Sequence, residues 1–269
     1  MVSQYILKHP MLKPEQDAPL HDKIRWLNYY DLTMLKVLCA NKITAKNYAT
    51  TASAGLLKVA KTYAIFDKAE QLDFSDHPST FLIKRSSGCA KNIFVTNKDR
   101  LDMDKVKKYV STWDTKVVCG FESKEFQYSL SEPRIFTEEN LLDGRDLESL
   151  IDYRFWTFNG KVQFVAVNDG RGWGAQVFYD TSFNKMDLFN KTHLAHGDEQ
   201  FEKPLNFDLM VALAEKLAKP FKFVRVDLYN LNGEIYLGEF TFSPGGYRTR
   251  FVNSVGRSLD VELGKRLLI

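Results

Sequence analysis

The 269-residue chain is long enough for one large domain or two closely joined ones, and its 44% hydrophobic and 26% charged residues are ordinary for a globular protein. Basic residues number 37 against 34 acidic, and a formal charge of +3 is too slight an excess for the clustered basic face of a nucleic-acid protein. No apolar run reaches the length of a signal peptide or a membrane span, so the expectation is a cytoplasmic protein with no integral membrane segment and no nucleic-acid partner.

Residues 22–30 (DKIRWLNYY) carry Ile24, Leu27 and Tyr30 or Trp26 on one side at helical spacing. A second helical run is expected through 32–48, with Met34, Leu35, Leu38, Ala45 and Tyr48 as its apolar positions and Gly55 beyond its end. Segment 57–66 reads as a strand or a strand entering a loop. A short apolar strand follows over 80–84 (TFLIK), then a turn of small residues, Arg85-Ser86-Ser87-Gly88-Cys89, then a returning strand at Ile93-Phe94-Val95. Residues 101–113 form a charged helix capped by Asp102.

Residues 133–138 read as another strand leading to an exit loop at Leu141-Leu142-Asp143-Gly144. Two β-rich runs, 152–158 and 161–167, flank Asn159-Gly160, a strong hairpin signal. From 168 to 204 the chain is polar and irregular, the pattern of a functional loop or lid. An amphipathic helix over 206–219 stops at Pro220, and strands 223–228 and 234–240 meet through a second such turn, Asn232-Gly233. The class is α+β with largely antiparallel sheets. Cys39, Cys89 and Cys119 lie far apart without a CxxC pair and read as free thiols.

Three constellations carry chemistry. Two acids, Asp227 and Glu239, stand on adjoining strands of the last hairpin. With the turn at Asn232-Gly233, residue 227 falls opposite 238 or 239, so both carboxylates can serve one magnesium ion, which prefers oxygen ligands. Arg225 lies two residues before Asp227, on the same strand face. Lys84, at a strand end before Ser-Ser-Gly, can present an ammonium and backbone N–H groups to phosphate oxygens, although neither GxxxxGK[ST] nor GxGxxG occurs. The third constellation is Thr137-Glu138-Glu139-Asn140-Leu141, a strand end whose backbone can pair with a base edge.

Two other patterns have weaker claims. Asp102-Met103-Asp104 is a DxD string that a glycosyltransferase could use, but it begins a helix, where acids favour the dipole. His193-Leu194-Ala195-His196 lacks a third metal ligand. No Ser-His-Asp or Cys-His arrangement is readable.

In this order and context the chain resembles the TupA-like branch of the ATP-grasp superfamily. The landmarks run from Asp22-Lys23-Ile24-Arg25-Trp26-Leu27 through Asn41-Lys42, Lys46, Tyr48, Phe81-Leu82-Ile83-Lys84, Gly88, Pro133-Arg134-Ile135 and Glu138-Glu139. They continue through Asp152-Tyr153-Arg154-Phe155 and Phe158-Asn159-Gly160 to Arg225-Val226-Asp227-Leu228-Tyr229 and Gly238-Glu239-Phe240-Thr241-Phe242. The resemblance implies two antiparallel-sheet α+β subdomains sandwiching ATP: a helical segment at 1–55, a small subdomain with the phosphate loop at 56–140, and a large subdomain with the metal site at 141–269.

Roles follow from the same resemblance. Lys84 and Lys42 contact phosphates, Ser86, Ser87 and Gly88 form the loop over the γ-phosphate, and Arg154 supports nucleotide binding. Glu138, Glu139 and Leu141 form the adenine-reading linker, and Asp146 reaches the ribose by spacing. Asp227 and Glu239 hold magnesium, with Thr241 where relatives carry Asn. Arg225 meets the reacting carboxylate, and Arg225 with Lys84 forms the catalytic set. Asn41 stands where the branch usually has Asp, Lys46 where it has Arg, Arg154 where it has Lys, and Ser86 where His is frequent.

The implied activity is an ATP- and Mg²⁺-dependent carboxylate–amine ligation through an acyl phosphate. Its substrates would be a small-molecule or glycan carboxylate and an amine, in the modification of a bacterial capsule or other surface polysaccharide. A phosphotransferase on a sugar hydroxyl and a capsule glycosyltransferase are the alternatives.

Overall fold

The computed structural model describes residues 6, 8, 10–88, 91–113, 123–143, 149–169, 176–191 and 200–269. Two antiparallel sheets organise them. The smaller contains β1 (Thr62–Phe66), β2 (Phe81–Arg85), β3 (Asn92–Val95) and β4 (Ile135–Glu139) in the order β1-β4-β2-β3. The larger contains β5 (Asp152–Phe158), β6 (Lys161–Asn168) and β7 (Gln176–Tyr179). Past the two-residue strand β8 (Phe189–Asn190), it is completed by β9 (Phe223–Leu231) and β10 (Glu234–Thr241), in the order β10-β9-β5-β6-β7. Strand β11 (Phe251–Val252) pairs with β8.

Two hairpins of the large sheet, β5–β6 and β9–β10, turn where Asn-Gly occurs. Asn159 and Gly160 have φ of 49° and 77°, and Asn232 and Gly233 have φ of 53° and 91°. Two successive left-handed residues match the right-handed twist of the flanking strands, and Asn and Gly enter that region at least cost.

Helices α1 (Leu20–Tyr30), α2 (Met34–Ala40), α3 (Thr44–Ala52), α4 (Met103–Ser111), α5 (Phe126–Ser129), α6 (Phe207–Ala218) and α7 (Asp260–Arg266) cover these sheets. The largest core lies on one face of the large sheet, where Val224, Val226 and Leu228 meet Phe207, Met210, Leu213 and Leu217 of α6. Alternate residues of the same strands meet α1 and α7 on the other face, through Trp156, Phe223, Leu27 and Leu263. Lys23 of α1 is wholly buried, and its ammonium donates to the carbonyls of Gln16, Gly264 and Leu267 at 2.8, 2.8 and 2.9 Å. A buried ammonium with all three N–H groups bonded ties the N-terminal helix to the end of α7. The small sheet has its own core, in which Phe81, Ile83 and Ile135 pack against Val106 and Val110 of α4.

Two expectations need correction. The single helical run over 32–48 is two helices, because Asn41 takes an extended backbone (φ −94°, ψ 121°) and its side-chain oxygen accepts from the N–H groups of Ile43 and Thr44 at 2.9 and 3.4 Å. That local turn offers the backbone an alternative to continuing the helix. The stretch 168–203 is not irregular throughout: Gln176–Tyr179 adds an edge strand to β6, and Phe189–Asn190 pairs with Phe251 and Val252. Cys39 is a buried free thiol whose pKa burial pushes up to about 12. Cys89 and Cys119 lie outside the described residues.

Candidate active site

The large sheet supplies the floor of the site through a register that sequence arithmetic nearly determines. Arg154, Asp227 and Glu239 form one row across β5, β9 and β10. From Glu234 to Leu237 the paired residue numbers sum to 465, and from Glu239 to Thr241 they sum to 466, so one residue, Gly238, is extra. This bulge changes which residues face the cleft. Ile235 and Leu237 point into the core before it, whereas Phe240 and Phe242 do so after it. Glu239 and Thr241 are thereby released to the side of Asp227. A Cβ on Gly238 would lie 3.0 Å from the Asp227 carbonyl oxygen and 3.3 Å from Cζ of Tyr229, so only glycine fits without displacement.

Arg225, two residues before Asp227 on the same strand face, bonds to the acids. Its Nε and Nη2 donate to the two oxygens of Asp227 at 2.7 and 2.5 Å, Nη2 also reaches Thr241 Oγ1 at 3.0 Å, and Glu239 Oε1 lies 3.5 Å away. Burial pushes the Asp227 carboxyl up to about 6, with Asp152 adding to the rise and Arg225 opposing it. Burial acts the same way on Glu239, but Lys42, Arg225 and Arg154 outweigh it and hold that carboxyl below the usual range. Beside them, Arg154 Nε donates to Asp152 Oδ2 at 2.7 Å, while the buried Asp152 Oδ1 has no hydrogen-bond partner among the described residues.

The facing wall comes from the small sheet. Lys84, one residue from the end of β2, and Lys46 of α3 share a single carboxylate, that of Glu138 on β4, at 2.5 Å to Oε1 and 2.7 Å to Oε2 respectively. Burial disfavours ionised Glu138, but Lys84 and Lys46 together hold its pKa below the ordinary value. Lys42 reaches between the walls: its Nζ donates to the Gly88 carbonyl at 2.6 Å and lies 3.5 Å from Glu239 Oε2.

Between the walls is a cavity of about 290 Å³. From the small-sheet side it is lined by Lys42, Lys84, Gly88, Glu138, Glu139 and Leu141, and from the large sheet by Arg154, Asp227 and Glu239. Arg225 and Thr241 contact the acids but are not among the residues that line the cavity. Ser86 and Ser87 are fully buried. Ser86 accepts from the Arg134 N–H at its hydroxyl (2.9 Å) and from the Lys42 N–H at its carbonyl (2.7 Å), so it secures the end of β2 and the base of Lys42. Asp146, His193 and His196 lie outside the described residues. Asp102 caps α4 by accepting from the Lys105 N–H at 3.0 Å and does not line the cavity.

Asp152, Tyr229 and Lys46, which stand in the sequence as landmarks of the resemblance without a site role, all line the cavity. Asp152 stands two residues before Arg154, repeating the acid–arginine alternation of Arg225 and Asp227, and Lys46 follows Lys42 at one helical turn. Those spacings were the available signals.

Among the described residues no three His, Cys, Asp or Glu side chains form a metal cluster. The all-oxygen set of Asp227, Glu239 and the Thr241 hydroxyl, beside the unpartnered Asp152 oxygen, nevertheless suits magnesium, which commonly takes one or two carboxylates and completes its shell with phosphate oxygens and water.

Two antiparallel sheets enclosing a cleft with lysines on one wall and paired acids on the other define the ATP-grasp fold. The chain belongs to the family described as TupA-like ATPgrasp, which matches residues 22–268. Its structure resembles D-alanine–D-alanine ligase from Bacillus anthracis (TM-score 0.51, 14% identity), covering 89% of this chain and 72% of that one. The same ligase from Helicobacter pylori aligns over 93% of this chain and 70% of its own, with TM-score 0.45 and 17% identity. The ATP-grasp ligase PsnB bound to a minimal precursor aligns over 78% of this chain with TM-score 0.42 and 12% identity, and this chain spans 54% of PsnB's length. A search of curated proteins returns no match. Among the described residues no helix is long and apolar enough to cross a membrane.

Proposed function

We propose that this chain is an ATP- and magnesium-dependent carboxylate–amine ligase. The observation that carries the reading is the opposition of the two walls: Lys84 and Lys42 face an acid pair, Asp227 and Glu239, across one cavity. Family membership supports ATP as the nucleotide. The Leu141 N–H, which lacks an acceptor among the described residues and lines the cavity, is a suitable donor to the base, whereas that of Glu139 is already given to Lys61 O at 2.8 Å.

Magnesium on Asp227 and Glu239 would supply charge neutralisation at the phosphates. Lys84 and Lys42 would hold phosphate oxygens as fixed ammonium charges. Arg225, oriented by Asp227 and Thr241, would hold the acceptor carboxylate as it attacks the γ-phosphorus, displacing ADP and forming an acyl phosphate. An amine then attacks the acyl carbon, phosphate leaves, the nitrogen loses a proton, and an amide remains. The contribution of these residues is alignment and preorganised charge. We infer further that the acid belongs to a bacterial surface polysaccharide and is joined to an amine or amino acid, as the resemblance implies.

The test is to incubate the chain with ATP, magnesium and a panel of acids and amines, and to identify the nucleotide product. ADP and phosphate appearing only when acid and amine are both present is the expected result. AMP as product, or a stable phosphate ester with a hydroxyl acceptor, overturns the ligase assignment.

A further inference from the structure

Lys46 lines the cavity, yet its ammonium has no N–H left for a ligand. It donates to Glu138 Oε2 at 2.7 Å, to the Ala60 carbonyl at 2.8 Å and to Thr62 Oγ1 at 2.9 Å, which exhausts its three donors. Lys84 differs: Glu138 is its one partner among the described residues, so two of its N–H groups remain for the cavity it lines. Glu138 is buried, with each oxygen assigned to one lysine. Two ammonium groups and one carboxylate leave one positive charge. Saturation of Lys46 places that charge, in effect, on Lys84.

We propose that Lys46 is a positioning residue that balances the charge of Glu138, so that Lys84 stays electrostatically free to bind nucleotide phosphates. Without Lys46, Glu138 and Lys84 form a closed neutral pair at the back of the cleft, and an incoming phosphate has to compete with a buried carboxylate already in contact. With Lys46, the carboxylate anchors Lys84 without cancelling it. The inference rests on reading the cavity as the ATP site and adds a role for a lysine that cannot itself touch the phosphates.

The experiment is calorimetric titration of the full chain with a non-hydrolysable ATP analogue and magnesium. Lys46→Gln keeps a donor for Ala60 but removes the charge, and binding is expected to weaken about tenfold, on the scale of one charge-assisted hydrogen bond. Glu138→Gln in the same chain keeps an oxygen for Lys84 while deleting the opposing charge, so the double variant is expected to return to within about threefold of wild type, a coupling that only interacting sites show. Lys46→Arg should retain affinity.

Both glutamine variants at position 46 share the same local packing, so a recovery in the double variant reports charge rather than fold. Should Lys46→Gln fail to fold, Lys46→Arg carries the test, since it keeps the charge: affinity within about threefold of wild type supports the role, and a tenfold loss overturns it. Wild-type affinity in Lys46→Gln, or a double variant no better than the single one, also overturns it while nucleotide binding by the wild type leaves the ATP site standing. Absence of binding by the wild type sinks both together.

Discussion

The two walls of the cleft are each built around a buried carboxylate, but they leave different groups free. On the small-sheet wall two lysines share Glu138, and Lys84 keeps donors in reserve. On the large-sheet wall Asp152, Asp227 and Glu239 stand against Arg154, Arg225 and the reaching Lys42, and a buried Asp152 oxygen has no partner among the described residues. One wall has spare donors and the other spare acceptors. Such a cleft is matched by a ligand that is anionic along one side and carries a divalent cation along the other, which is the charge pattern of a magnesium-bound polyphosphate.

The strongest way to break the comparison is to remove the cation that compensates the acidic wall. Arg225→Met leaves Asp227, only 3% exposed, without its bidentate partner, and a broken buried pair of this kind costs about 3–5 kcal/mol. Urea denaturation should register that loss, and added magnesium should restore stability more in the variant than in the wild type. A midpoint unchanged by the substitution would mean that buried Asp227 does not depend on Arg225 for its compensation.

Next in size is Asp227→Asn, which preserves shape while removing one negative charge from the wall. Turnover of ATP is expected to fall roughly 10²-fold or more, by comparison with the loss of single preorganised electrostatic groups. Undiminished turnover in a folded variant contradicts the assignment of Asp227. A smaller effect is expected at the bulge. Gly238→Ala forces a Cβ to within 3.0 Å of the Asp227 carbonyl, a backbone contact that cannot simply swing aside, and overpacking of this kind costs about 1–3 kcal/mol. Because the same residue sets the facing of Glu239, magnesium-dependent nucleotide binding should weaken along with the denaturation midpoint. A stability loss without a binding loss would separate the bulge from the site.

What could be read in advance follows the range of the interactions involved. The Asn-Gly hairpins are local, and they place Asp227 opposite position 238 or 239 without any tertiary knowledge. Choosing between those positions required the bulge, which shows in the sequence only as an unexplained Gly238 and in the structure as the close approach of two backbones. Ser86 and Ser87 look like loop residues because small polar residues usually are, yet Arg134, Asn41 and Lys42 enclose Ser86 from distant parts of the chain. Lys46 and Asp152 stand in the sequence as landmarks without a site role for the same reason: each becomes part of the site through a partner or neighbour on another element. Asn41 had a local signal, an Asx turn at its helix boundary, and this was missed because the apolar spacing continued past it.

The smallest expected effect lies under the lysine-rich wall and concerns pH. His77 is buried among Tyr63, Phe74 and Phe81, and its Nε2 lies 2.7 Å from the hydroxyl of Thr137, the residue before Glu138. Burial lowers its pKa below 6.5 and Lys98 lowers it further, against the opposing pull of Asp73 and Asp76. Between the folded pKa and 6.5 the unfolded chain therefore binds more protons than the folded one, and stability falls as pH drops through 6.5. His21, lowered by burial and by Arg250, contributes in the same direction from the large-sheet side. Followed from pH 7.5 to 5, stability read from denaturation midpoints should be lost more steeply in the wild type than in His77→Gln, over a background to which His21 contributes in the same sense and Asp227, raised to about 6, in the opposite one. If the small-sheet core is as closely packed around a neutral imidazole as these contacts require, the two profiles diverge only below pH 6.5; parallel profiles would show that His77 takes up its proton without disturbing the strand that carries Glu138.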